Sequence, residues 1–176
     1  MAKLKIYEYP HPVLKQKSVQ VGKVDAEIRK LLDDMLETMY AAAGVGLAAP
    51  QVGVLKRIVV IDIAHEDEGE KRSPLFLVNP EIVWHSDEEK CQLEGCLSLP
   101  EQSAEVSRFK QVRVRYCDYD GKENEILAER LLAVALQHEI DHLDGILYID
   151  HISRLKRQML VKKLQKMRQE ETGEED

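Results

Sequence analysis

The sequence predicts an α+β domain: mostly antiparallel β-sheets packed around a central helix that carries a His-Glu-x-x-His motif, with a further helix at the C-terminus. Three observations lead there. Apolar residues recur at helical spacing in well-separated stretches, and strand-like runs are joined by turn residues rather than by crossover helices. The chain has 176 residues, enough for one domain to close a hydrophobic core without disulfides. No repeat, low-complexity stretch or linker divides it, so residues 1–176 are read as a single domain. Its last part, 153–176, is a basic helix followed by an acidic tail.

Taken in order, Asp25 is placed to cap a first helix over residues 26–43, in which Ile28, Leu31, Leu32, Met35, Leu36 and Met39 share an apolar stripe. Gly44 ends it, and the next stretch, the Gly-rich, Pro-interrupted GVGLAAPQVG, admits no long regular element. Residues 57–63 read as a buried strand and HEDEGEKRS as an exposed charged turn. Residues 75–78 and 81–84 read as two short strands broken at Asn79-Pro80. Val112, Val114 and Tyr116 alternate with Arg113 and Arg115, the pattern of a half-exposed strand, and Asp120-Gly121 turns it back into 123–127. The second helix is expected over 128–143, ending near Gly145, and the third over 153–169.

Composition narrows the function classes. No apolar run approaches the ~20 residues of a membrane helix, and the N-terminus has neither an apolar signal core nor an Arg- and Ser-rich amphipathic stretch. Three cysteines, Cys91, Cys96 and Cys117, are an odd number and argue for reduced thiols in a cytoplasmic protein. Neither a membrane nor DNA is expected among its partners. The net charge of -7 is unevenly placed: Arg154, Lys156, Arg157, Lys162, Lys163, Lys166 and Arg168 run without an acid among them, and Glu170, Glu171, Glu174, Glu175 and Asp176 close the chain. Composition alone favours a solvated helix with a frayed tail; the sharper reading is a docking arm for nucleic acid or a ribonucleoprotein.

The chemistry is concentrated at His138-Glu139-Ile140-Asp141-His142. Residues four apart share a helical face, so both imidazoles can reach one ion. Glu139 lies beside that face, free to act on an attacking water without taking a coordination position. Standing against this is chance, because the pattern has only three fixed positions. A catalytic site needs a third ligand. The metzincin spacing would put it at position 148, which is Tyr; a thermolysin-like spacing points to position 162, which is Lys. Cys96 remains, in EGCLSLP, where Gly95 lets the backbone approach closely and Pro100 stops any helix. The G-x-G-x-x-A within GVGLAAPQVG is not a dinucleotide site, since a helix precedes it and Pro50 prevents a helix from starting after it. Gln51 in that loop offers an amide NH₂ to an oxyanion, against the plainer reading of a surface glutamine. Two rival chemistries stay open: a structural zinc closed by a fourth ligand, with Cys91 the nearest candidate, and a thiol hydrolase pairing Cys96 with a histidine.

Three motifs in order, G-x-G-L-A-A-x-Q at 44–51, E-G-C-L-S at 94–98 and Q-H-E-x-D-H at 137–142, resemble those of the peptide deformylases, and the similarity runs along nearly the whole chain. That family removes the N-formyl group from the initiator methionine of nascent proteins. The resemblance implies Cys96, His138 and His142 as metal ligands and Glu139 as general acid–base. It implies Gln51 and the backbone N–H of Leu97 as the oxyanion donors. Gly46 matches a contact to the substrate backbone, with Gly95 as a second close approach. Leu131, Val134 and Ala135, on or near the His138 face of the helix, then form an apolar strip for methionine that Val45 would close; ordinary core packing explains each of them equally well. Ser103 departs from the family pattern, where many relatives carry a basic residue. A Cys/His/His set suits zinc, whereas the resemblance implies Fe2+ as the physiological ion, with Zn2+ or Ni2+ as substitutes. It also implies that the basic C-terminal helix docks at the ribosome, where N-formylmethionyl chains emerge.

Overall fold

The computed structural model describes residues 2–64 and 69–173; the acidic residues Glu174, Glu175 and Asp176 and the first part of the expected charged turn lie outside the described residues. Helix α1 is Ala26–Ala41, strand β1 Gly46–Ala48, β2 Ile58–Ile61, β3 Leu75–His85, β4 Glu89–Cys96, β5 Leu99–Phe109, β6 Gln111–Cys117 and β7 Glu123–Glu129. Helices α2, Arg130–Leu143, and α3, Arg154–Thr172, come last. Five strands form one sheet in the order β1-β2-β3-β6-β7, and β4 pairs with β5 in a separate hairpin. Every ladder is antiparallel, so the expected α+β class holds. Among the described residues no helix is long and apolar enough to cross a membrane.

The sheet lies between two helices. The Asp25 carboxylate accepts the Ile28 N–H at 3.0 Å and starts α1. Its stripe of Ile28, Leu32, Met35 and Met39 packs on Ile58, Val60 and Val78. The alternate residues Val59 and Ile61 point to the other face and join Leu77, Val112 and Val114 against Ala133, Leu136, Ile140 and Leu143 of α2. All four residues of β2 are therefore buried, which is why that strand reads as an unbroken apolar run. A third cluster joins Leu160 and Leu164 of α3 to Leu99, Val106, Tyr148 and Ile149, so α3 rides on the β4–β5 hairpin.

Three expectations about elements are corrected, and one hairpin is added where none was expected. Helix α1 stops at Ala41, and Ala43 takes a left-handed φ of 56°. Residues 75–85 are one strand rather than two: a bulge between Val78 and Glu81 absorbs Pro80, and Asn79, at φ 52°, exchanges two hydrogen bonds of 2.8 and 2.7 Å with the Val21 backbone. The hairpin β4–β5 has no counterpart in the sequence pattern, because its alternation turns the polar Glu94 and Arg108 inward while Leu93 is 69% exposed. Finally, β7 runs on to Glu129, which pairs with Gln111. The ladder keeps Ala128 in the sheet, and α2 begins at Arg130 with φ 55°.

Candidate metal centre and its surroundings

Helix α2 carries the His-Glu-x-x-His residues along its buried side, where His138, Glu139 and His142 are each less than a tenth exposed. The end of β4 brings Cys96 to them. Ligand atoms of Cys96, His138 and His142 all lie within 4.8 Å of one another, with Cys96 Sγ 3.4 Å from His142 Nε2. A tetrahedral ion bound at about 2.0–2.3 Å by sulfur and nitrogen holds its ligands about 3.5 Å apart, so the thiolate and two imidazoles fit one. Cys91 is exposed on β4 and stands outside this cluster, which among the described residues has no fourth protein ligand to close it.

The outer support is built as such sites require. His138 Nδ1 lies 2.9 Å from Glu94 Oε1, which commits that nitrogen and leaves Nε2 for an ion. Arg108 grips Glu94 through two hydrogen bonds of 2.8 and 2.9 Å and reaches Asp141 at 2.7 Å. Sequence reading assigns no role to Glu94, Arg108 or Ser98. Glu94, two residues before a ligand cysteine and in need of a buried partner, carries a signal; Arg108 carries none, because only the folded hairpin brings it to α2.

Electrostatics divide the two imidazoles. Burial alone would lower the His138 pKa, but the adjacent Glu139 charge and contacts to Cys96 and Glu94 hold it well above the ordinary value. Burial pushes His142 well below it, helped by the positive charge on His138 and Arg108. Glu94 stays low against its burial because His138 and Arg108 donate to it. Burial raises Glu139 from 4.5 to about 7, and its Oε1, like His142 Nδ1, is buried without a hydrogen-bond partner. An unpartnered Glu139 oxygen 4.0 Å from His142 Nε2, beside an unclosed ligand set, has the capacity to accept a hydrogen bond from a water-derived reactant. Tyr148, at the position where a metzincin would carry histidine, instead packs its ring 6.0 Å from that of His138.

A cavity of about 430 Å³ opens onto this centre, lined by Val45, Gly46 and Gln51 on one side and Gly95, Leu97 and Glu101 on the other. Gln51 is 1% exposed rather than on the surface. Its Oε1 accepts the Ala48 N–H at 2.9 Å, so its Nε2 points at Ser98 Oγ, 3.0 Å away, and at Cys96 Sγ, 3.4 Å away. Gly46 sits against Glu139: a Cβ there would lie 2.5 Å from Glu139 Oε2. The strip on α2 is not gathered at this cavity. Ala135 is in the core beneath the sheet, Leu131 is 37% exposed, and Val134 lines a separate, larger groove of about 880 Å³ with Trp84, Gln92 and Phe109.

An α+β fold that holds a buried His-Glu-x-x-His helix against a cysteine, with an open face, is that of a metallohydrolase. More narrowly, the model of the polypeptide deformylase family matches residues 3–158, and the chain belongs to that family. It is 55% identical to a peptide deformylase of Phenylobacterium zucineum over 94% of this chain and 97% of the relative. It is 54% identical to one of Agrobacterium fabrum, with 89% and 91% covered. Among solved structures, the peptide deformylase of Ehrlichia chaffeensis superposes with a TM-score of 0.91 at 42% identity, covering 97% of this chain and 99% of that one. A structure of the Ehrlichia protein in complex with actinonin gives 0.89 at 44%, with 95% and 98% covered.

Proposed function

We propose that this chain hydrolyses the formamide bond of N-formylmethionyl nascent peptides, releasing formate and a free amino terminus, with Glu139 as the acid–base group. The observation that carries the reading is the position of Glu139: buried, raised to about 7, with an unpartnered oxygen, beside the Cys96, His138 and His142 atoms and on the wall of the cavity. Cys96, His138 and His142 would hold a divalent ion, Fe2+ in the cell with Zn2+ or Ni2+ able to replace it, which would supply Lewis acidity to the reaction.

The chain's own groups do the rest. A carboxyl that titrates near neutrality can take the proton from the attacking water and return it to the departing amine, so one residue serves both halves of the reaction. Gln51 Nε2, oriented because Gln51 Oε1 accepts the Ala48 N–H, and the Leu97 N–H are the donors to the oxyanion as the formyl carbon becomes tetrahedral. Val45, Gly46 and Gly95 border the substrate backbone. Of the three α2 residues, only Val134, in the neighbouring groove, offers an approach for the methionine side chain; Ala135 is in the core and Leu131 faces solvent.

We assign the enzyme to the cytoplasm and a ribosome-docking role to α3. Of its basic residues, Arg157 faces Asp150 at 3.5 Å and Arg168 faces Glu8 at 3.3 Å, while Arg154, Lys156, Lys162, Lys163 and Lys166 are exposed. That face supports a salt-sensitive contact with an anionic partner; cosedimentation with ribosomes that ignored salt, or failed, would remove it. The catalytic proposal is tested by formate release from an N-formyl-Met peptide, using anaerobic, iron-loaded protein beside Glu139→Gln. Activity lost in the mutant with metal retained is expected. Inactivity of both forms around one tightly held zinc would move the reading to a structural metal site.

A further inference from the structure

The support of His138 does not end at Arg108. From the ligand outward, His138 Nδ1 lies 2.9 Å from Glu94 Oε1, and Arg108 Nε and Nη2 hold the two Glu94 oxygens at 2.8 and 2.9 Å. Arg108 Nη1 turns the other way, to Asp141 Oδ2 at 2.7 Å. The series closes on His151, whose Nε2 is 2.8 Å from the same Asp141 oxygen. A carboxylate can only accept, so Nε2 is a protonated nitrogen of His151. Its 3.4 Å approach to Arg108 Nη1 is therefore the meeting of two donors on one acceptor.

The links differ in how freely they could move. Glu94 and Arg108 are buried, and Arg108 cannot lose a partner without leaving a buried donor unpaired. Asp141 is the loose link: its side chain is 24% exposed, so water competes for the oxygen that Arg108 needs. It also stands between the two imidazole ligands in sequence, on the helix that carries both. His151 holds it from outside. That residue ends the 3₁₀ turn Tyr148–His151, in which Tyr148 and Ile149 are packed into the core with Leu160 and Leu164 of α3. Asp150 Oδ2 ties the turn by accepting the Leu147 N–H at 2.9 Å. A fixed turn, not a free loop, thus presents the imidazole to Asp141.

We propose that His151 is a positioning residue for the metal centre: by pinning Asp141 Oδ2 it keeps Arg108 and Glu94 in place and so fixes the ring of His138. The inference rests on the metal-ligand part of the reading above. His151 stands outside both the ligand set and the lining of the cavity, and its action passes through Asp141, Arg108 and Glu94 in turn. Partners of this kind orient a ligand imidazole and set how tightly it binds.

The experiment reads Zn2+ affinity by chelator competition and ligand geometry by the visible absorption of the Co2+-substituted protein. The proteins compared are wild type, His151→Phe, His151→Gln, Asp141→Ala and the double variant Asp141→Ala with His151→Phe. His151→Phe keeps a flat ring on the turn and removes the donor. It should weaken Zn2+ binding by about three- to tenfold, less than the roughly 10- to 100-fold of a residue bonded directly to a ligand. The Co2+ bands should shift with it, while the melting temperature of the metal-free protein stays near that of wild type. His151→Gln, whose amide can donate to Asp141, should restore affinity and spectrum. Once Asp141 is alanine, His151→Phe should add nothing further, because the link is already gone. Wild-type affinity and an unshifted Co2+ spectrum in His151→Phe would overturn the inference, as would an undiminished loss in the Asp141→Ala background. Formate release from a formyl-Met peptide by iron-loaded wild type keeps the two readings apart: no turnover, with the affinity pattern as expected, would overturn the deformylase reading alone. Failure of wild type to bind Zn2+ would overturn both.

Discussion

Replacing Gly46 by alanine tests the geometry of the acid–base group most directly. The added Cβ would lie 2.5 Å from Glu139 Oε2, 2.9 Å from Cδ and 3.0 Å from Cγ. Ordinary contact begins near 3.4 Å, so the carboxylate must retreat by about 0.9 Å. The clash falls on the end of a side chain and not on backbone, and one methyl group is added, so the fold should survive at a cost below about 2 kcal/mol. Catalysis has less tolerance: a misplacement of about 1 Å in a reacting group costs up to ~100-fold, or about 2.7 kcal/mol of barrier. We expect kcat for formate release to fall by roughly 10- to 100-fold, with metal content and melting temperature near those of wild type. KM separates the two roles of Gly46, since a methyl that obstructed the substrate backbone would act there. A Gly46→Ala enzyme whose kcat stayed within about twofold of wild type would refute the claim that Glu139 works where the structure holds it.

The same geometry sets four further outcomes. Gln51→Leu should lower turnover by about 10²–10³-fold with metal still bound, as loss of one oxyanion donor does; an unchanged rate would remove Gln51 from the mechanism. Glu94→Gln weakens the hold on His138 Nδ1 and strands half of the Arg108 ion pair, so metal affinity, read by chelator competition, should drop about 10- to 100-fold and stability by about 3 kcal/mol or more; wild-type affinity would show that Glu94 does not orient the ligand. In metal-free protein, Glu139 at about 7 against 4.5 binds a proton in the folded state that the unfolded chain has already lost. That stabilising contribution is therefore present near pH 4.5 and is lost as pH rises to about 7, by about 3 kcal/mol; denaturant titrations at both ends should show the slope in wild type and its loss in Glu139→Gln, and equal slopes would contradict the burial argument. Val134→Asp should raise KM for formyl-Met peptides with little change in kcat, and an unaltered KM would return the strip on α2 to plain packing.

The chain's local patterns were enough for its helices, most of its large sheet and the identity of its chemistry. A 3.6-residue apolar period marked α1 and α2 because each buries one face against the sheet, and two histidines four apart share a face in any helix. The cysteine and two histidines that meet at the candidate metal centre, and the glutamate beside them, were likewise readable from motifs that are contiguous in sequence. What needed the tertiary structure was whatever depends on partners distant along the chain. The β4–β5 hairpin is held by cross-strand pairing and by α3, and its alternation turns Glu94 and Arg108 inward and Leu93 outward, so it does not read as an apolar face in the sequence. Arg108 meets Glu94 and Asp141 only across that hairpin and α2. Gln51 became a buried, oriented donor because Ala48, Ser98 and Cys96 converge on it. The strip of Leu131, Val134 and Ala135 shows the converse limit: helical spacing set their common direction, but only packing decided that one meets the core, one the solvent and one a separate groove.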